Sequence, residues 1–474
     1  MISHQQKQAE SLFYQGNLFL EAGALDDAGK CYEEAVRIAP DFAGGHVNLG
    51  YIADKQGHDE VAERSYRRSI ELNPGYAETH LNLGALLARG KRFEEAETAY
   101  LQAIALRPLS PVGWSNLGVL CACMRREDDA EQCYRRAIAL DSGYATARFN
   151  LSYLLLRQCR FEEGWKCLEA RDWYAPLAAR LSCPRWYGEP LAGKSILIGY
   201  EAGHGDMIQF CRYAEVLKQR GASSITMICH PALKTLFSSL RAVDTVYSFE
   251  EPVPTSGWDY WTPPLSIPYH LGTRLDNIPA KIPYLRAEPA RTKKWAAFIP
   301  PGDFRVGLVW KGSAQFENDA DRSLPSLQTL ARLWSVPGVT FISLQKGAGE
   351  EEVMGLPLNF PLFHLGWRLN DFADTAAVIA NLDLVISVDT AVAHLAGALG
   401  KPCWLLLPDY KTDWRWLKDR EDSPWYPGNM RLFRQRKMGD WTAVVMDLCN
   451  ALRQTAPVQL RPRQSRNFQH ASSM

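Results

Sequence analysis

A chain of 474 residues exceeds what one hydrophobic core organises, so two or more domains are expected and a lone small module is excluded. Hydrophobic residues at 46% and charged residues at 22% exclude a disordered or fibrous chain. Equal totals of 53 basic and 53 acidic residues exclude a global field that would draw it onto nucleic acid or an anionic membrane. The 11 cysteines are scattered without paired CxxC spacing, which points to reduced thiols and a cytoplasmic setting rather than to a disulfide framework or structural metal site. The opening MISHQQKQAE has no apolar run, and the most apolar later stretch is interrupted by Asp374, Asp383, Asp389 and His394. Neither a signal peptide nor a membrane span is expected. The end, residues 456–474, carries Arg461, Arg463 and Arg466 without an acid and reads as a disordered tail.

In chain order, the first signal is a repeat. Gly16, Gly50, Gly84 and Gly118 are spaced by 34, and Ala28, Ala62, Ala96 and Ala130 follow in the same register. Tyr32, Tyr66, Tyr100 and Tyr134 share the period, and Pro40, Pro74 and Pro108 stop the units. Small residues let paired helices approach while tyrosine fills the gap. With Trp114, Leu117 and Gly118, this pattern resembles the tetratricopeptide repeat. A degenerate fifth unit keeps Asn150, Leu151 and Pro176, so an α-solenoid over residues 1–178 is expected, its first helices lining a groove.

After Pro176 short apolar runs alternate with helical stretches. KSILIGY, SITMICH and VDTVYSF read as buried strands, with helices expected over residues 207–220 and 231–240. FRVGLVW, VTFISLQ, LDLVISV and PCWLLLP form a second series. The Pro- and Trp-rich stretch 252–289 reads as irregular loops and a linker. The expectation is two α/β lobes, 184–290 and 291–455, bracketing a cleft.

Ligands of open α/β sheets bind beyond the carboxyl ends of the strands. The turn after the first strand holds Gly203, Gly205 and Asp206, with Ile208 where a dinucleotide fingerprint needs glycine. Asp206 reads either as a helix N-cap or as a general base at the cleft. In the second lobe Asp389 and Thr390 begin a helix that carries His394 one turn on. Free amides there make an anion site, although Thr390 alone would also fit a cap and His394 alone a packed core residue. Asp319 and Asp321 form a DxD, a metal-binding pattern that also arises by chance. Arg322 and Lys311 beside it suit a leaving phosphate without metal.

These segments carry a second resemblance. Gly205-Asp206, VGLVWKGS (residues 306–313) and DTAVAHLAGALGKP (residues 389–402) resemble motifs of GT-B glycosyltransferases related to lipopolysaccharide heptosyltransferases. PRWYGEPLAGK, GHGDMIQFCRY and DWRWLKDREDSPWYP resemble a bacterial family that joins tetratricopeptide repeats to this transferase fold. The resemblance implies an α-solenoid followed by two Rossmann-like lobes, with Asp206 as base. It sets Lys311, Asp389, Thr390 and His394 on the nucleotide-sugar donor, with no cofactor; Arg322, Ala391 and Arg415 are expected to join them there on their own chemistry and place in the sequence. Ala391 replaces the glycine common in the heptosyltransferase motif, and the loop with Arg415 lies outside it.

Asn48, Asn82, Asn116 and Asn150 recur every 34 residues, presenting one carboxamide per first helix. Such a ladder suits the backbone of an extended peptide and is similar to that of O-linked N-acetylglucosamine transferases, although asparagine is also a common repeat residue. The leading reading is a cytoplasmic, inverting, metal-independent glycosyltransferase whose repeats recruit a protein acceptor. Transfer to lipopolysaccharide or polysaccharide, or a non-catalytic repeat scaffold, are the rivals.

Overall fold

The structure, a computed structural model, describes residues 4–357 and 360–456. The expected arginine-bearing tail, with Arg461, Arg463 and Arg466, lies outside the described residues. All 11 cysteines are free thiols.

The repeat period gives five helix pairs: α1 (His4–Glu21) with α2 (Leu25–Ile38), α3 (Ala43–Lys55) with α4 (Asp59–Leu72), α5 (Ala77–Arg89) with α6 (Phe93–Leu106), α7 (Pro111–Cys123) with α8 (Glu127–Leu140), and α9 (Ala145–Arg157) with α10 (Phe161–Leu168). Pro40, Pro74 and Pro108 follow the ends of α2, α4 and α6, as their missing amides require. Each repeat glycine faces its tyrosine so closely that a Cβ would lie 2.6 Å from a ring carbon at Gly16 and Gly84 and 2.7 Å at Gly50 and Gly118. Successive units are also tied by a contact at the same period that sequence reading missed. His46 Nε2, His80 Nε2 and Trp114 Nε1 donate to the carbonyls of Pro40, Pro74 and Pro108 at 2.9, 3.1 and 3.0 Å.

The glycine–tyrosine contact makes a first prediction. Gly84→Ala gains helix propensity but forces its methyl into the buried Tyr100 ring, and overpacking costs about 1–3 kcal/mol. A lower thermal midpoint followed by helical circular dichroism is expected, whereas exposed Gly90→Ala, with nothing nearer than 3.5 Å to its new methyl, should leave the midpoint almost unchanged.

The chain divides into two compact units, one reaching Leu155 and including Lys166–Arg171, the other comprising Leu156–Trp165 and the chain from Asp172. The division thus cuts α9 after Leu155 and α10 after Trp165, and the second unit resumes at Asp172. Trp165 explains why: its indole donates to the Thr273 carbonyl at 2.9 Å and packs edge-on against Trp414 and Trp425.

The second unit contains two wholly parallel sheets. The first is built from β1 (Ser195–Ile198), β2 (Ser224–Cys229), β3 (Thr245–Ser248) and β4 (Tyr260–Thr262), in the order β3-β2-β1-β4. After β1 come α11 (His204–Phe210) and α12 (Tyr213–Gln219), and α13 (Pro289–Ala296) leads into the second lobe. The second sheet holds β5 (Phe304–Val309), β6 (Val339–Ser343), β7 (Leu362–His364), β8 (Leu384–Val388), β9 (Cys403–Leu407) and β10 (Met430–Arg434), in the order β10-β9-β8-β5-β6-β7. Its helices include α14 (Phe372–Ala380), α15 (Ala391–Ala398) and α16 (Thr442–Thr455). Counted from its own first strand this is the 3-2-1-4-5-6 doubly wound order, whose direction reverses between β5 and β8. A buried apolar cluster including Val306, Leu308, Ile386, Leu406 and Leu448 lies against this sheet.

Three expectations are corrected. The stretch 252–289 is not all loop: Tyr260–Thr262 pairs in parallel with β1, a strand too short and too closely followed by Pro263 and Pro264 to show in the pattern. The helix expected over 207–220 starts at His204 and breaks at Cys211–Arg212. There the Ile208 carbonyl accepts from Cys211 Sγ and Tyr284 Oη, and the Gln209 carbonyl from Arg212 Nε. The helix expected over 231–240 is a 3-10 turn followed by Lys234–Phe237.

Candidate active site

The reversal point of the second sheet sets two strand ends side by side. The turn after β5 is held by the buried Gln345 carboxamide, whose Oε1 accepts from the amides of Trp310 (2.9 Å) and Lys311 (3.0 Å). Its Nε2 donates to the carbonyls of Lys311 (3.0 Å) and Ala348 (2.7 Å). Lys311 Nζ pairs with Glu352 at 2.8 Å. Arg322 Nε donates to Asp319 at 3.0 Å and its guanidinium lies 4.2 Å from the Phe316 ring centroid. The Ser323 hydroxyl donates to the same Asp319 oxygen. The first carboxylate of the DxD is therefore engaged by its own neighbours. Among the described residues no group of three or more His, Cys, Asp or Glu side chains could hold a metal ion.

After β8, Thr390 occupies the N-cap position of α15 with extended backbone, but its hydroxyl pairs with Ser387 at 3.0 Å instead of capping. The first amides of α15 are left without a side-chain cap, the condition for binding an anion at a helix start. Asp389 accepts from Trp416 Nε1 at 2.8 Å. Burial, and then the nearby charge of Asp413, push its carboxyl up to about 6. His394 stacks on Trp416, with ring centroids 5.1 Å apart, and its Nδ1 meets the Tyr426 hydroxyl at 2.8 Å. Burial lowers its pKa well below the usual imidazole range, reinforced by Arg415, Arg212 and Arg322, so it is neutral at pH 7.

The turn after β1 meets this site directly. Ala202 adopts φ 56°, a left-handed conformation that turns the chain sharply into α11. Asp206 is not the cap of α11 but its third residue, and its Oδ2 reaches back to accept from the Gly203 amide at 2.9 Å. The other oxygen accepts from Arg415 Nη2. A Cβ on Gly205 would lie 2.9 Å from His394 Cδ2, so the starts of α11 and α15 touch where glycine alone fits. Asp206 nevertheless keeps 23% of its side chain accessible, against 7% for Arg415.

The loop 413–427 forms the wall on that side, and sequence reading singled out only Arg415 in it. Arg415 also donates to Gln209 Oε1 at 2.6 Å and to both oxygens of Asp413 at 3.0 Å. Its guanidinium is a buried clamp on Asp206 rather than a group open to a donor. Trp414, Trp416, Trp425 and Tyr426 are buried, and Leu417 takes φ 54°, a left-handed backbone costly for a branched residue. Behind them Arg212 donates to the Trp425 carbonyl (2.6 Å) and the Tyr284 hydroxyl (2.8 Å), with the Tyr284 ring 4.5 Å away and the Tyr426 ring 4.8 Å away.

Asp206, Asp389, Thr390, Ala391, His394 and Arg415 are thus drawn together, with Arg322 in electrostatic reach of Asp389 and His394. Lys311, just past the end of β5, turns to Glu352 in the short helix Glu351–Met354. Gln209, Gln345, Asp413, Trp416 and Tyr426 were missed. In the repeat unit the four ladder asparagines lie on α3, α5, α7 and α9, each half-buried. Asn48 Nδ2 donates to Asn17 Oδ1 at 2.9 Å, which also accepts from the Tyr32 hydroxyl.

Two family models match different parts of the chain. Residues 47–111 and 124–164 match a tetratricopeptide repeat family model. Residues 363–406, from β7 into β9 and including Asp389, Thr390 and His394, match the model of glycosyltransferase family 9 (heptosyltransferase). Protein FlbA of Caulobacter vibrioides is 28% identical over 350 residues, covering 66% of this chain, which spans 56% of that relative's length. Among solved structures, PilF of Pseudomonas aeruginosa covers 35% of this chain and 78% of its own at 20% identity and TM-score 0.33. MamA covers 35% and 96% at 21% identity and TM-score 0.31. The chain therefore combines a tetratricopeptide-type solenoid with an α/β unit that resembles glycosyltransferases.

Proposed function

We propose that the α/β unit is a glycosyltransferase of the GT-B type, acting on a nucleotide-sugar in the cytoplasm, and that the repeats recruit a protein acceptor. The observation that carries this reading is the meeting of two strand-end turns from separate sheets. One holds the accessible Asp206; the other lies in the segment similar to glycosyltransferase family 9.

In this reading the donor phosphates sit at the uncapped start of α15, by Thr390 and Ala391, with Lys311 and Arg322 as cations. Neutral His394 contributes a directed ring nitrogen without adding charge. Asp206, oriented by the Gly203 amide and Arg415, takes the proton of the acceptor hydroxyl as that oxygen bonds to the anomeric carbon. The bond from that carbon to phosphate breaks on the opposite face, which inverts the centre, and the departing phosphate keeps the electron pair. Engagement of Asp319 by Arg322 and Ser323 favours a reaction without metal.

Lys311→Ala should weaken nucleotide-sugar binding about tenfold, an effect of roughly 1.4 kcal/mol. Calorimetry checks this, and unchanged affinity would place the donor elsewhere. Activity should survive excess EDTA; loss restored by Mg²⁺ or Mn²⁺ would contradict the metal-free mechanism. Recruitment is tested by replacing Asn48, Asn82, Asn116 and Asn150 together with alanine. Each removes contacts worth about 0.5–1.5 kcal/mol per hydrogen bond, so protein glycosylation should fall steeply while donor hydrolysis by water stays level. Normal acceptor modification would move recruitment to another surface, and parallel loss of hydrolysis would make the repeats a support for the catalytic unit.

A further inference from the structure

Away from the candidate active site, the α/β unit carries a cavity of about 640 Å³, lined by Glu162, Trp165, Tyr187, Tyr269, His270 and Arg274 among others. None of these residues belongs to the cluster around Asp206. The volume lies within the usual range for small-molecule sites.

Its aromatic walls are held in place from behind. Tyr187 is 63% exposed, yet the Arg185 guanidinium lies 5.2 Å from its ring centroid. Arg185 is itself fixed by Tyr174, whose hydroxyl accepts from it at 2.6 Å, and by Ser266 at 2.9 Å. The Tyr187 amide donates to Glu189 at 2.6 Å. The His270 ring packs edge-on against Tyr187 and Trp186, with centroids 5.8 and 5.4 Å apart, and at a tilt against Tyr269 at 5.2 Å. An exposed tyrosine ordinarily loses entropy when a ligand orders it; this one is already ordered by its neighbours.

The polar groups narrow the ligand class. The exposed Glu162 and Arg274 place one negative and one positive side chain at the cavity. A phosphate or nucleotide would meet the Glu162 carboxylate with only one cation to offset it, and a lipid chain would desolvate both charges. A neutral polyhydroxylated ring satisfies all three features. The carbon-bound hydrogens of one sugar face carry the positive edge that aromatic faces attract, while its hydroxyls donate to a carboxylate and accept from a guanidinium. We propose that this cavity is a non-catalytic binding site for a hexose-sized sugar. The site does not depend on the transferase reading. Its floor, Trp165, meets Trp414 at a ring distance of 5.3 Å, and Trp414 lies under Arg415 at 4.5 Å, so a chain of contacts links the cavity to the clamp on Asp206.

The test uses the full chain without any nucleotide-sugar. Methyl glycosides of glucose, galactose, mannose and N-acetylglucosamine are titrated while saturation-transfer NMR is recorded. At least one should bind saturably with a Kd in the millimolar range, and Tyr187→Ala should weaken it at least tenfold. Tyr187→Phe, which keeps the ring face, should stay within about threefold of the native chain. Glu162→Gln should weaken binding, and Lys311→Ala should not. Saturable binding by none of the four up to about 50 mM, a free-energy ceiling near −2 kcal/mol, would overturn the proposal. Binding that survives Tyr187→Ala, or disappears in Lys311→Ala, would also overturn it by placing the sugar elsewhere. A proline-rich peptide that binds saturably, and loses binding in Tyr187→Ala, when no glycoside does would reassign the cavity to peptide. Because no turnover is measured, failure of the transferase reading leaves this result interpretable.

Discussion

Asp206→Asn is expected to slow sugar transfer by two to four orders of magnitude while leaving the fold and donor binding intact. A positioned general base contributes about 10²–10⁴-fold, and asparagine at this place keeps an oxygen to accept from the Gly203 amide or from Arg415. Structure is retained because Arg415 is not left as an isolated buried charge: Asp413 holds it through both carboxylate oxygens, and Gln209 through a third contact. The loss should appear in kcat with donor KM nearly unchanged, since the proposed donor site lies on the other lobe. Near-native turnover in a folded Asp206→Asn protein would reduce the residue to an element of α11.

Asp389→Asn should raise stability where Asp206→Asn leaves it unchanged, and like Asp206→Asn it should lower activity. Burial pushes this carboxyl from an ordinary 3.8 up to about 6, so folding favours its protonated form. That contribution is fully present below about pH 4 and is lost as pH rises through about 6. At pH 7.5 the native protein bears a charged, buried carboxylate, at a cost of about 3 kcal/mol for a shift near two units. Asparagine removes the charge and keeps an oxygen for the Trp416 indole, so the variant should be more stable than the native protein at pH 7.5 by about 1–3 kcal/mol. The difference should shrink towards pH 4. Urea midpoints followed by tryptophan fluorescence check this, since only three of the 15 tryptophans precede Pro176. A native-like pH profile in the variant would show that Asp389 carries no such cost. Retention of so costly a carboxylate suits a site shaped for a ligand rather than for stability.

The features legible in the sequence were those set by local periodicity or by strand ends. The 34-residue register of Gly84 and Tyr100 predicts a contact that the structure places at 2.6 Å from the added methyl. All seven expected strands are present, because each is carried by a mostly apolar run of the sequence. The three missed strands, β4, β7 and β10, lie at the edges of their sheets, where short or half-exposed segments leave no apolar run. Thr390 and His394 were legible because one turn of helix separates them. The role of Arg415 was not, because its partners Gln209 and Asp206 lie 206 and 209 residues away. Nor did any pattern announce Tyr426, which reaches His394 across 32 residues of loop and strand. Contacts of that separation are fixed by the packing of two lobes, and a linear reading sees only the residue types.

The central claim is that Asp206 and the start of α15 form one working site for sugar transfer. Its most direct test is nucleotide release from a panel of nucleotide-sugars, measured for the native protein and for Asp206→Asn with the protein acceptor fraction present and intact masses recorded. The account predicts release from at least one donor, a matching sugar mass gained by a protein, and loss of both in Asp206→Asn while that donor still binds. Release and sugar gain that persist undiminished in Asp206→Asn, or a native protein that turns over no donor at all, would contradict it.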